Sequence, residues 1–83
     1  MTFTIPGSIW ADTIHLVGDF NDWNRTSHSL AQKEGNWTIT LELERGREYR
    51  YRYLFNGVDW CNDSNADNYV SNPHGGEDSV VIT

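Results

Sequence analysis

Cysteine is nearly absent from this 83-residue chain, in which Cys61 is the only one. A single cysteine excludes an intrachain disulfide framework and suits a reducing compartment, so we expect a cytoplasmic protein. The first residues lack the apolar segment that is typical of a signal peptide, which agrees with that expectation. No apolar run approaches the roughly 20 residues of a membrane-spanning helix, so the sequence predicts no membrane partner.

Basic residues are also scarce, since six Lys and Arg stand against twelve Asp and Glu, a net charge of −6. Nucleic acids and anionic membranes select basic surfaces, so this balance predicts no nucleic-acid partner. The length fits one domain, residues 1–83, and a domain of roughly 60–100 residues buries only about 60–65% of its unfolded surface. Because such a core is thin, we expect most aromatic side chains to be needed for packing.

No segment shows the 3.6-residue periodicity of an amphipathic helix, whereas apolar and polar residues alternate over 37–44 and 49–56. A short turn with the sequence ERGR at 44–47 separates these two segments, so we expect them to form an antiparallel hairpin. Shorter segments of strand character occupy 3–5, 13–17 and 79–83. Together they predict an all-β protein, an immunoglobulin-like antiparallel β-sandwich.

The alternation also predicts which side chains face the core. If Tyr51 and Tyr53 fill the core, Arg50 and Arg52 must point outward on the opposite face of the same strand. Trp37 lies on an alternating strand, and we expect it to be buried. We expect Phe20 to be largely buried as well.

One tryptophan has an unusual setting. The run VGDFNDWN at 17–24 predicts a strand end, a turn marked by glycine and a polar loop that carries Trp23. This side chain either folds back over the edge of the sandwich or forms a stacking platform for a flat ligand. Sugar rings are such ligands, because their C–H faces pack on aromatic rings while their hydroxyls bind polar groups.

Metal and catalytic patterns are incomplete. Asp63, Asn65 and Asp67 begin like a calcium loop, but the sixth position is Asn68 rather than glycine and the twelfth is His74 rather than glutamate. The histidines are scattered without zinc-ligand spacing. Glycoside hydrolysis needs two carboxylates in a deep cleft, which a sandwich this small rarely encloses. The sequence therefore predicts no metal, no cofactor and no enzyme activity.

Several segments occur in the order and spacing of a known family. They are GDFNDWN at 18–24, GNW at 35–37, YRYLFNG at 51–57 and Trp60 followed by Asn62 and Asp63. This pattern resembles the family 48 carbohydrate-binding module, the early-set domain of isoamylases and branching enzymes. The glycogen-binding domain of the AMP-activated protein kinase β subunit belongs to the same group. The tail, residues 66–81, resembles the isoamylase-type bacterial members, which are often free-standing, and the likeness covers about residues 3–81.

The resemblance implies a set of binding residues. Glycogen-binding members use two tryptophans, a basic residue on the strand between them and residues of the last loop. Trp23 and Trp60 match the two tryptophans, and we expect both to be substantially exposed on one side of the domain. Arg52 stands where those members have lysine, and its guanidinium can donate to two adjacent hydroxyls.

The last loop, residues 72–78, departs most from that pattern, because it replaces a longer loop that carries a leucine and an asparagine. Asp78 takes roughly the place of the asparagine, and His74 roughly that of the leucine. The resemblance thus implies six carbohydrate-binding residues, which are Trp23, Arg52, Asn56, Trp60, Asp63 and Asp78.

Two functions of different classes follow from these observations. The first is a non-catalytic module that binds an α-glucan, such as glycogen, starch or a malto-oligosaccharide. The second is a protein-interaction module without sugar binding, which docks on a glycoside hydrolase or another glucan-metabolising enzyme. Both predict the same fold, so the sequence alone leaves both open.

Overall fold

The computed structural model describes residues 1–73 and 75–83, and within them it contains eight strands and a one-turn 3-10 helix, Asp19–Asn21. The strands are β1 (Thr2–Pro6), β2 (Ile14–Gly18), β3 (Ala31–Lys33), β4 (Asn36–Thr40), β5 (Glu48–Phe55), β6 (Asp59–Cys61), β7 (Asn68–Ser71) and β8 (Glu77–Ile82). Among these described residues no helix is long and apolar enough to cross a membrane.

The strands form two antiparallel sheets. The three-stranded sheet has the order β1-β4-β3, and the five-stranded sheet has the order β2-β5-β8-β7. The remaining strand, β6, pairs with the C-terminal part of β5, beyond the part that pairs with β8. This architecture confirms the all-β antiparallel sandwich that the period-two pattern predicts.

The core lies between the inner faces of the two sheets. Its buried members come from both sheets and include Phe3, Ile5, Ile14, Leu16, Trp37, Tyr51, Tyr53 and Val81. Trp37 is buried, and its indole Nε1 donates a hydrogen bond to the carbonyl oxygen of Ile9 at 3.3 Å. The predicted burial of Trp37, Tyr51 and Tyr53 is therefore confirmed.

Phe20 is half-buried, so the prediction that it is largely buried is wrong. The residue lies in the 3-10 helix at the end of β2 rather than in a strand. Its ring packs at the margin of the core, with its centroid 6.0 Å from that of Phe3 and 6.4 Å from that of Tyr51. One side of the ring therefore stays outside the space between the sheets.

The predicted hairpin between residues 37–44 and 49–56 is also wrong. The strand β4 pairs with β1 and β3, whereas β5 pairs with β2, β6 and β8 in the other sheet. The segment 44–47 therefore carries the chain from one sheet to the other. Both strands still turn their apolar side chains to the same core, but they do so from opposite sides. Alternation is satisfied equally by either arrangement, because it specifies a buried face and not a pairing partner.

Candidate functional site

The outer face of the five-stranded sheet carries an open cleft of about 560 Å³. Its lining consists of Asp19, Trp23, Arg25, Arg50, Arg52, Trp60, Asn72, Pro73, Gly76 and Asp78. This volume lies in the range of small-molecule sites, roughly 300–1,000 Å³. Four of the six residues that the resemblance implies come together here, although they are far apart in the sequence. They are Trp23, Arg52, Trp60 and Asp78.

Strand geometry explains why these side chains share a face. Arg50 and Arg52 are two residues apart on β5, so they project to the outer face while Tyr51 and Tyr53 turn to the core. On β6, Trp60 lies opposite Leu54 of β5, and it therefore projects to the same outer face.

The ion pair of Arg52 and Asp78 contributes two fixed side chains to this cleft. Arg52 Nε lies 3.1 Å from Asp78 Oδ1, and the two side chains are only 22% and 10% exposed. The same Nε lies 3.0 Å from the carbonyl oxygen of Glu77, and Asn72 Nδ2 donates to Asp78 Oδ1 at 3.2 Å. Each of the two largely buried charged groups therefore has a partner of opposite sign. A Cβ on Gly76 would lie 2.8 Å from Arg52 Nη2, so the glycine leaves room for the guanidinium.

Trp23 is held by the loop that follows β2. Its φ is 57° and that of Asp22 is 54°, so two consecutive residues adopt the left-handed backbone region that bulky side chains rarely occupy. Its indole Nε1 donates to Asp19 Oδ1 at 2.9 Å. The other oxygen, Asp19 Oδ2, accepts a hydrogen bond from the backbone N–H of Arg50 at 2.8 Å. One carboxylate therefore connects the tryptophan to β5.

Exposure differs between the two tryptophans. Trp60 is 38% exposed, whereas Trp23 is half-buried, so the prediction of substantial exposure is wrong for Trp23. The physical reason is the loop itself, which folds back to bring the indole to Asp19 instead of extending it into solvent. The guanidinium carbon of Arg25 lies 5.4 Å from the ring centroid of Trp60, a cation–π distance.

The structure places Asn56 outside this cleft. It lies in the turn after β5 with a φ of 55°, and its Oδ1 accepts hydrogen bonds from the backbone N–H groups of Asp12 and Thr13, at 2.7 and 3.3 Å. These bonds hold the segment that enters β2 against the end of β5. The amide oxygen is thus engaged by the protein backbone.

Asp63 also lies outside the cleft, at the edge of the core. Its Oδ2 accepts hydrogen bonds from the hydroxyls of Tyr51 at 2.7 Å and Tyr53 at 3.2 Å. Burial, together with this nearby carboxylate, raises the pKa of both phenols above the ordinary value.

Asp63 Oδ1 accepts from the backbone N–H of Asn65 at 2.9 Å, which makes an Asx turn. Asp67 Oδ2 accepts from the backbone N–H of Ile82 at 2.7 Å. Both carboxylates of the motif that resembles a calcium loop are therefore bound to the backbone. The remaining residue given a role in the last loop, His74, is outside the described residues.

Sequence reasoning missed several lining residues, chiefly Asp19, Arg25 and Asn72. It also gave no site role to Arg50, although the parity that places Arg52 outward applies equally to Arg50. Asp19 belongs to the GDFNDWN run, so its proximity to Trp23 had a local signal. Arg25 had no local sequence signal, because its position over Trp60 depends on the pairing of β5 and β6.

Replacing Asp19 with alanine should release the indole of Trp23. We expect stronger acrylamide quenching of tryptophan fluorescence and a loss of about 1 kcal/mol or less in unfolding free energy, since the hydrogen bond between Trp23 and Asp19 is exposed. The matched control is Asp12→Ala, which makes the same charge change, because Asp12 contacts Asn56 through its backbone N–H. Introducing Trp23→Phe in both backgrounds isolates the signal of Trp23. Equal quenching of the Asp19→Ala variant and the parent would show that the carboxylate does not position the indole.

The domain is a small antiparallel sandwich whose outer face carries an open cleft with two tryptophans and several polar groups. Residues 8–75 match the family model for Carbohydrate-binding module 48 (Isoamylase N-terminal domain). The chain belongs to this family, which confirms the resemblance found in the sequence. The matched family is one of non-catalytic binding modules.

Segments of the chain are also similar to parts of larger proteins. A 33-residue segment is 58% identical to a 1,4-alpha-glucan-branching enzyme of Saccharomyces cerevisiae and covers 37% of this chain and 5% of the enzyme. A 57-residue segment is 35% identical to the 1,4-alpha-glucan branching enzyme GlgB of Aquifex aeolicus, covering 60% of this chain and 9% of the enzyme. The GlgB of Bacillus caldolyticus is 40% identical over 52 residues, which are 55% of this chain and 8% of that enzyme. The matches therefore span less than a tenth of the length of each of these relatives.

Proposed function

We propose that this chain is a non-catalytic α-glucan-binding module that takes glycogen, starch or malto-oligosaccharide chains in the cleft on the outer sheet face. The observation that carries the proposal is that Trp23, Trp60 and Arg52 line one open cleft. Trp23 and Trp60 match the two tryptophans of the glycogen-binding members, Arg52 stands where those members have lysine, and the cleft provides a common surface for all three. Because the cleft is open to solvent, it suits a chain-like ligand that extends beyond the site at both ends.

The chemistry of the lining fits sugar rings. The C–H face of a glucose ring packs on an indole, and each such contact contributes on the order of 1 kcal/mol beyond simple area burial. Arg52 uses Nε and Nη2 for Glu77 and Asp78, which leaves other N–H donors of its guanidinium for hydroxyls. Asn56 and Asp63 are not part of this proposed set, because their side chains are engaged elsewhere.

Binding should be weak. Two stacking contacts and a few hydrogen bonds, set against the cost of association, correspond to a dissociation constant of about 10 µM to 1 mM. Titration of maltoheptaose, followed by tryptophan fluorescence and by calorimetry, measures it. Trp23→Ala and Trp60→Ala should each raise the dissociation constant about fivefold or more.

A matched control is Trp10→Ala, because Trp10 is 82% exposed and lies outside the cleft. This variant should keep the dissociation constant of the parent. The absence of heat and of a fluorescence change at millimolar maltoheptaose would contradict the proposal and favour the protein-interaction function. Binding that persists in both cleft variants would place the sugar site elsewhere on the domain.

A further inference from the structure

The cleft concentrates the scarce positive charge of this chain. Of its six lysines and arginines, three line the cleft, namely Arg25, Arg50 and Arg52, together with the two acidic residues Asp19 and Asp78. Three positive charges less two negative charges leave the lining with a net charge of +1, in a chain whose net charge is −6. This positive balance makes the cleft more favourable to anionic ligands than the rest of an acidic domain.

Contacts in the cleft neutralise these arginines unequally. Arg52 is paired with Asp78 at 3.1 Å. Asp19 directs its two oxygens to the indole of Trp23 and to a backbone N–H, not to a guanidinium. Among the residues that the structure describes, neither Arg25 nor Arg50 forms an ion pair with a carboxylate. Two guanidinium groups at one cleft thus keep their charge without a carboxylate partner, although acidic residues outnumber basic ones two to one.

We propose that the ligand of this module is an α-glucan that carries phosphate monoesters, and that Arg25 and Arg50 bind the phosphate. The inference rests on the proposed glucan-binding function and names the class of glucan. A phosphate monoester bears a charge of about −1.5 to −2 at neutral pH and has three acceptor oxygens. Arginine matches such a group, because its planar guanidinium presents parallel N–H donors to two oxygens at once.

The position of Arg25 places the proposed phosphate-binding group next to the proposed stacking surface on Trp60. Its guanidinium carbon is 5.4 Å from the centre of the Trp60 ring. Because the guanidinium lies over a face of this ring, a glucose ring that stacks on Trp60 must displace it or lie beside it, and either arrangement leaves the arginine next to the substituents of the sugar. The apolar face of the sugar and an ester on the same sugar are then bound by neighbouring side chains. A neutral glucan gains hydrogen bonds from these arginines, but only an anionic one also gains charge neutralisation.

Calorimetric titration of two matched ligands tests the inference. The first is maltoheptaose, and the second is maltoheptaose with one phosphate monoester on a primary hydroxyl. At low ionic strength, about 0.02 M NaCl, the phosphorylated ligand should bind about tenfold more tightly. At about 0.5 M NaCl its advantage should fall to about twofold or less, because exposed charges are screened.

Variants assign this advantage to particular residues. Arg25→Ala and Arg50→Ala should each reduce the affinity ratio of the two ligands toward one. Arg45→Ala is the matched control, because Arg45 is exposed, lies outside the cleft lining and makes the same change in net charge. It should keep the ratio of the parent. Melting curves of all three variants check that the fold is retained.

The outcomes separate this inference from the function on which it rests. Equal affinity for the two ligands at low salt, with binding of both, overturns the phosphate inference and leaves glucan binding in place. An advantage that survives in both arginine variants overturns the assignment to Arg25 and Arg50. Binding of neither ligand overturns both proposals. Inorganic phosphate that competes as strongly as the phosphorylated sugar would show an anion site that does not recognise the glucan, and would also overturn the inference.

Discussion

Replacing Trp37 with alanine should lower the free energy of unfolding by about 3–5 kcal/mol. The indole lies on β4 between the two sheets and is only 7% exposed. Ile5 of β1 lies beside it in the register of the three-stranded sheet, and Tyr51 and Tyr53 belong to the same buried cluster. Removing the ring leaves a cavity that a core of two thin sheets cannot close, and it also removes the hydrogen bond to Ile9.

Urea denaturation of Trp37→Ala, followed by far-ultraviolet circular dichroism, measures this loss. Trp10→Ala makes the same substitution at a tryptophan that is 82% exposed, and it should change the unfolding free energy by about 0.5 kcal/mol or less. Trp37→Phe should fall between the parent and Trp37→Ala, because it retains part of the buried volume. A denaturation midpoint of Trp37→Ala that equals that of the parent would contradict the placement of this residue in the core.

Replacing Asp63 with alanine should lower the free energy of unfolding by about 2–4 kcal/mol. The carboxylate accepts hydrogen bonds from the buried residues Tyr51 and Tyr53, whose hydroxyls lose their acceptor when it is removed. A buried donor without a partner costs roughly 1–3 kcal/mol. Asp63→Asn should cost less, because an amide oxygen can still accept from the two hydroxyls.

The same substitution distinguishes a structural role from a ligand-binding role. Under conditions where the variant is folded, Asp63→Ala should bind maltoheptaose with the dissociation constant of the parent, since Asp63 is not in the cleft. Thermal denaturation and the maltoheptaose titration together check this expectation. Unchanged stability combined with lost sugar binding would instead support the role that the sequence resemblance implies for Asp63.

The fold was predictable where the sequence signal is local. Alternation identifies β1, β4 and β5, and strand-forming residues identify β2 and β8, each with ends that lie within a few residues of those in the structure. The run GDFNDWN marks the end of β2 and the loop after it. The strands β3, β6 and β7 were not predicted, because they have three or four mostly exposed residues and no apolar alternation. The crossing at residues 44–47 was not predictable either, since pairing across a turn and crossing to the other sheet bury the same side chains.

The candidate site shows a similar division. Trp23, Arg52, Trp60 and Asp78 were placed by motif order and do line one cleft. Asn56 was predicted to bind sugar but lies outside the cleft, where its amide oxygen accepts hydrogen bonds from backbone N–H groups. The same oxygen atom would accept a hydrogen bond from a sugar hydroxyl. No local pattern distinguishes these two uses. They depend on which segments the fold brings within hydrogen-bonding distance.

The left-handed backbone at Asp22 and Trp23 has a consequence for the entropy of association. Such conformations cost of order 1–3 kcal/mol per residue and persist only where surrounding contacts impose them. In this loop the backbone N–H of Trp23 donates to the carbonyl oxygen of Gly18 and its indole Nε1 donates to Asp19, and these hydrogen bonds impose the conformation in the free domain. The stacking surface that we propose at Trp23 is thus pre-organised, so a glucan would not need to restrict the loop in order to bind there. The strained backbone therefore lowers the stability of the free domain, but it also reduces the conformational entropy that the loop would lose when a ligand binds.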